Sequence, residues 1–159
     1  MALALLAAPL AFMGCSSDDD EGDGGATVPA EGVHKIEVSL EGNYSQFTPV
    51  LIFGGVKHGG SMSLVYDQSG KSYENMYSAN YQGGTVTAQS EKSCFEFYVS
   101  IMLSNITGQP GSVTVNCRGF VDGKVSKSGS QTVSFKDGEM AKAAYFNSLS
   151  GFRDVDVPK

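Results

Sequence analysis

From Val33 onward, apolar positions alternate with polar ones, and that period of two predicts strands rather than helices. Ile36, Val38 and Leu40 alternate with Lys35, Glu37 and Ser39, a strand with one buried face. A denser apolar run follows from Phe47 to Val56, interrupted by Pro49 and closed by Gly54-Gly55. Met62, Leu64 and Tyr66 alternate again. Residues 67–84 read as a loop punctuated by Ser69-Gly70 and Gly83-Gly84, and Thr85, Val86 and Thr87 begin another short strand.

The strongest strand pattern runs from Cys94 to Ser104. It sets Phe95, Phe97, Val99, Ile101 and Leu103 on one face and Cys94, Glu96, Tyr98, Ser100 and Met102 on the other. A polar turn around Gly108 leads to Val113, Val115 and Cys117. Folding the two strands together as a hairpin places Cys117 beside Val99. Asp122-Gly123 marks a second hairpin. A three-residue loop over Val121, Asp122 and Gly123 is expected, since it puts Val125 on the face of Val113, Val115 and Cys117, with Val133 and Phe135 following, whereas a two-residue loop would put Val125 opposite that face. Asp137-Gly138, a strand from Ala143 to Phe146, and a tail through Phe152, Val155 and Val157 complete the pattern.

Short strands at regular spacing with Gly-rich turns predict an all-β fold, a single antiparallel β-sandwich of about seven to eight strands. Residues 94–147 sharpen this. A long strand, an Asn-x-Thr-Gly-x-Pro turn, a second strand, an Asp-Gly-Lys hairpin and a Lys-Asp-Gly-Glu turn succeed one another there. This order resembles the Ig-like sandwiches of bacterial surface proteins. The Cys-Trp-Cys core of antibody domains is missing, because the chain has no Trp.

The first 31 residues break the pattern. Residues 1–14 are an apolar run ending in the small Gly14, directly before Cys15. A bacterial lipoprotein signal peptide is built this way, with cleavage before a cysteine whose thiol takes the lipid. The run lacks the usual Lys or Arg, which points to a start upstream of Met1, and Phe12 and Met13 are bulky for their positions. It falls short of the ~20 apolar residues of a membrane span. An ordinary cleaved signal, with Cys15 an accident of position, is the remaining competitor. Ser16-Ser17 and then Asp18, Asp19, Asp20 and Glu21 follow. This acidic run resembles the export signal of surface-exposed lipoproteins of the Bacteroidetes, which implies an outer-membrane, surface-exposed location and a membrane partner through the lipid. The expected layout is a signal peptide at 1–14, lipidated Cys15 with a flexible acidic tether over 15–31, and the sandwich over 32–159.

Charge follows that layout. The formal net charge is −6, yet Asp18, Asp19, Asp20, Glu21 and Asp23 supply five of the 17 acidic residues, so the body is nearly neutral. No Lys/Arg cluster is present, which excludes a nucleic-acid partner. Asp19, Glu21, Asp23 and Gly24 echo half of a calcium loop, but the closing acid falls on Ala30, so a solvated charge run is expected and no metal site. Cys94 and Cys117 form a candidate disulfide in an oxidising compartment. Their opposed parity favours two buried thiols instead.

Chemistry is thinly stocked. His34 opens a strand, and His58 sits between Gly55 and Gly60 with no acid or thiol nearby in sequence. No catalytic set, cofactor motif or phosphate loop is present, so an enzyme is not expected. Tyr73, Tyr77 and Tyr81 are the one constellation, spaced by four so that a helical segment would align them. With Glu74, Asn75 and Asn80 nearby they form a candidate glycan platform, and packing over an open edge of the sandwich is the structural alternative. The sequence therefore points to a lipid-anchored binding or adhesion module, glycan being the candidate ligand. A structural accessory subunit of an envelope assembly, such as a transport complex or fimbria, is the rival reading.

Overall fold

The computed structural model describes residues 31–153. Cys15 and the acidic run Asp18, Asp19, Asp20 and Glu21 lie outside the described residues, as do Val155 and Val157. Among the described residues eleven strands build two antiparallel sheets, more than the seven to eight expected, because three short strands arise where loop or tail was expected.

The six-stranded sheet runs in the order β4 (Ser72–Tyr73), β3 (Val65–Asp67), β6 (Val86–Ser90), β1 (His34–Gly42), β8 (Gly111–Val121) and β9 (Lys124–Phe135). The five-stranded sheet runs β11 (Gly151–Arg153), β10 (Ala141–Asn147), β7 (Cys94–Ser104), β2 (Val50–Lys57) and β5 (Met76–Asn80). The inner faces meet in one core. Ile36, Val38, Val113 and Val115 come from the first sheet, and Leu51, Phe53, Phe97, Val99, Ile101 and Phe146 from the second. Each such side chain fully withdrawn from water contributes roughly 1.5–3 kcal/mol. A 3-10 turn over Tyr44–Phe47 drops Phe47 onto Phe135, ring centroids 4.7 Å apart.

Four details correct the reading of the sequence. First, β7 and β8 do not form a hairpin. β7 already lies between β2 and β10, and β8 between β1 and β9, so the link at 105–110 crosses from one sheet to the other. Buried Asn105 holds that crossing, its amide donating to the carbonyls of Gln109 (2.8 Å) and Glu139 (2.9 Å). Cys117 consequently pairs with Val38 and Gly129, not Val99.

Second, Asp122 and Gly123 both have positive φ (48° and 79°) and close a two-residue hairpin with Val121 opposite Lys124. Val125 therefore faces outward opposite Phe120 and is half exposed. A register shift at Gly119/Phe120 then restores parity, so Val133 and Phe135 still face the core. Third, a shift at Val56/Lys57 leaves Phe95 without a partner on β2. It turns outward, and Cys94 takes the inward position. Fourth, Ser63 and Val65 are the buried pair near β3, whereas Met62, Leu64 and Tyr66 are half-buried.

Candidate functional site

The tyrosines at 73, 77 and 81 share no helical stripe, because residues 72–80 hold two strands, β4 and β5, in different sheets. Tyr77 points inward and stacks on Phe53, with centroids 5.8 Å apart. Tyr73 packs against Tyr77 at 4.9 Å, and its hydroxyl donates to Asp67. Burial and the neighbouring Asp67 push both phenols up from their ordinary pKa. Tyr81 is only 5% exposed; its hydroxyl accepts from the Leu40 N–H (3.0 Å) and donates to the Gly84 carbonyl (2.7 Å). The row Tyr73–Tyr77–Phe53 bridges the two sheets on one side of the sandwich.

Cys94 and Cys117 are buried, free thiols, so the candidate disulfide is absent. Burial pushes the Cys117 thiol up to about 12 and raises that of Cys94 as well. His58 stands exposed on the β2–β3 loop, its ring 4.3 Å from Phe95 and its Nε2 3.6 Å from Glu31. His34 is wholly buried, contrary to its polar sequence setting. Its Nδ1 lies 2.7 Å from the Ser148 Oγ. This Ser–His pair is sealed at 0% exposure on both residues, where no substrate reaches the hydroxyl. Among the described residues no group of three His, Cys, Asp or Glu side chains is arranged to hold a metal ion.

The part of the surface that departs from an ordinary sandwich is the outer face of the five-stranded sheet. Strand parity puts Val50, Ile52 and Gly54 of β2 outward beside Tyr98, Ser100 and Met102 of β7, with Ala143 and Tyr145 of β10 on one flank and Met76 of β5 on the other. Met102 and Met76 are about half exposed. Tyr98 leans across its partner strand. A Cβ on Gly54 would lie 2.6 Å from its hydroxyl oxygen, so only glycine lets the ring settle there. Tyr145 stacks beside it at 5.5 Å with an interplanar angle of 24°. Burial, and then the charge of Glu96, raise the Tyr145 pKa and keep the phenol neutral. Two stacked rings thus lie low on the sheet, with the Glu96–Arg153 pair at their edge.

At the end of this face lies a cleft of about 170 Å³ between Phe95, Glu96, Asn147, Leu149, Ser150 and Arg153. The shift that turned Phe95 outward made one wall of it. The Asn147 amide donates to Glu96, and Arg153 Nη2 stands 3.7 Å from the same carboxylate and over the Tyr145 ring at 5.8 Å. Rings that stack on apolar ring faces therefore adjoin a carboxylate and a guanidinium that bond hydroxyls, and buried Asn147, whose Oδ1 accepts from the Leu149 and Ser150 N–H groups, holds that carboxylate in place. The strand pattern had already set Tyr98 and Met102 on the mixed face of β7. What no local pattern marked is Tyr145, brought alongside by the β7–β10 pairing.

No family model matches the sequence, and no curated protein matches it. The fold does have solved counterparts. One is a domain of unknown function, DUF4425, from Bacteroides vulgatus, with a TM-score of 0.63 at 19% identity over 76% of this chain and 98% of that one. A DUF4425 family protein from Bacteroides ovatus gives the same TM-score, 0.63, at 20% identity over 76% and 98% of the two chains. A calcium-bound protein from Parabacteroides distasonis, solved by NMR, superimposes at a TM-score of 0.49 with 18% identity, over 82% and 100%. The two Bacteroides domains share the fold of this chain over nearly their whole length.

Proposed function

We propose that this protein is a non-catalytic binding module, held at the bacterial cell surface by lipid on Cys15, whose ligand is a glycan. The observation that carries the reading is the stacked Tyr98–Tyr145 pair lying low on the outer face of the five-stranded sheet, beside the Glu96–Asn147–Arg153 cleft. Sugar rings offer an apolar C–H face and a rim of hydroxyls, and this arrangement meets both. The burial of the Ser148–His34 pair supports binding over catalysis. We also read the sandwich as Ig-like, which its two facing antiparallel sheets and the crossing at 105–110 support.

Retardation in native gels cast with neutral polysaccharides tests the glycan. The wild type is expected to be slowed. Tyr98→Ala with Tyr145→Ala should abolish the shift without unfolding the domain, since each stacking ring contributes on the order of 1 kcal/mol. Cys15→Ser should release the protein from membranes. Replacing Asp18, Asp19, Asp20 and Glu21 by Ala should protect the domain from protease added to whole cells. The accessory-subunit reading draws on one observation, the exposed Met76 on edge strand β5, opposite Gly54 and diagonal to Ile52. Co-purification of an envelope protein that Met76→Glu abolishes, with no polysaccharide retardation, would favour it.

A further inference from the structure

We infer that this face recognises an internal stretch of an extended, neutral polysaccharide lying along β7, rather than a chain end or an acidic polymer. The inference rests on the glycan reading above and adds the form of the ligand. Its basis is a second cleft at the opposite end of the sandwich, which Asn80 borders from this face.

That cleft, of about 500 Å³, is lined by Tyr44, Ser45, Thr48, Asn80, Tyr81 and Gln82, all uncharged, together with Pro49. Asn80 joins it to the face, because it stands opposite Val50, which in turn stands opposite Met102. Tyr44 repeats the device of Tyr98: a Cβ on Gly83 would lie 2.9 Å from its hydroxyl oxygen, so here too a phenol occupies the space glycine leaves. Tyr44 packs edge-on to Tyr81 at 5.0 Å, which fixes the ring that borders the cleft. Thr48 sits in the left-handed region at φ 37° and shapes the turn beneath.

Between the two clefts the outward positions are Val50, Ile52 and Gly54 on β2 and Tyr98, Ser100 and Met102 on β7. None carries a charge. Glu96 and Arg153 offset each other at the near end. An acidic polymer finds no unpaired cation along this path, whereas a neutral chain finds rings at both ends and apolar surface between them. From Glu96 to Met102 the strand spans about 20 Å, the length of several linked pyranose rings. Neither cleft is an enclosed pocket that would clasp a terminal unit.

The test is native-gel retardation on soluble starch, mixed-linkage β-glucan, xyloglucan, galactomannan and the acidic polygalacturonate. Calorimetry on two- to six-unit oligomers of whichever neutral polymer retards then follows. At least one neutral polymer should retard the protein and polygalacturonate should not. Affinity should climb at least tenfold from dimer to hexamer. Asn80→Ala should cut hexamer affinity severalfold while leaving the dimer, held at Tyr98–Tyr145, unchanged; circular dichroism checks the fold of each variant. A dimer binding as tightly as the hexamer, or retention on polygalacturonate alone, overturns the extended neutral ligand and leaves the glycan reading standing. Retention on none of the five overturns both.

Discussion

The outer faces of the two sheets differ more than anything else in the molecule. On the six-stranded sheet the outward side chains satisfy one another. Lys35 pairs with Glu37 at 2.7 Å and lies over the Phe120 ring at 4.0 Å, Asn116 donates to Glu41 at 2.9 Å, and Thr114 meets Thr132 at 3.1 Å. On the five-stranded sheet the same positions hold Val50, Ile52, Tyr98, Met102 and Tyr145. Both sheets bury an apolar inner face, so the fold's own demand is met equally by each. An antiparallel sheet with one buried face needs only polar residues outside. The apolar outer face is therefore surplus to folding, and that surplus is the argument for binding.

Predictions that strain this contrast run from the shared core outward. Phe53→Ala, within the core, should cost about 3–5 kcal/mol in denaturant unfolding, because Phe53 is fully buried and stacked on Tyr77. A loss under 1 kcal/mol would mean the inner face of the five-stranded sheet is not core. The Cys117 thiol belongs to the six-stranded sheet's inner face, with its pKa pushed up to about 12. Its folded pKa lies above the unfolded value, so stability is intact below the unfolded pKa and falls as pH rises towards 12. The loss should be on the order of 2 kcal/mol by pH 10, and Cys117→Ala should remove that alkaline slope.

Gly54→Val drives a side chain into the Tyr98 phenol. It should lower stability by about 1–3 kcal/mol and abolish polysaccharide retardation. Thr132→Ala, on the other outer face, breaks the contact with Thr114. It should cost no more than about 1 kcal/mol and leave retardation unchanged. Smallest of all, Lys35→Gln should shift stability by less than about 1 kcal/mol, since the pair with Glu37 sits at the surface.

Much of the fold was legible because parity is a local property. The alternation of Ile36, Val38 and Leu40 named the buried face of β1 correctly, and Phe97 to Leu103 did so for β7. Partner choice was not legible, since β7 and β8 each carry an apolar face that suits a hairpin neighbour or a facing sheet equally well. Two register shifts hid the fates of Phe95 and Val125, because an extra residue reverses parity without changing composition. The tyrosine spacing misled for a related reason. A step of four also preserves strand parity, so Tyr77 and Tyr81 share an inward face. Gly54 read as the close of an apolar run, whereas its missing side chain is the slot for Tyr98, a relation that appears only once β2 and β7 are paired.

The most direct measurement is an amide chemical-shift map of the folded domain titrated with a pool of neutral oligosaccharides. The expected shifts gather on Val50 to Val56, Tyr98 to Met102 and Ala143 to Asn147, and leave Lys35 to Glu41 and Asn116 still. Shifts centred on the six-stranded sheet, or none on either face, would contradict the account.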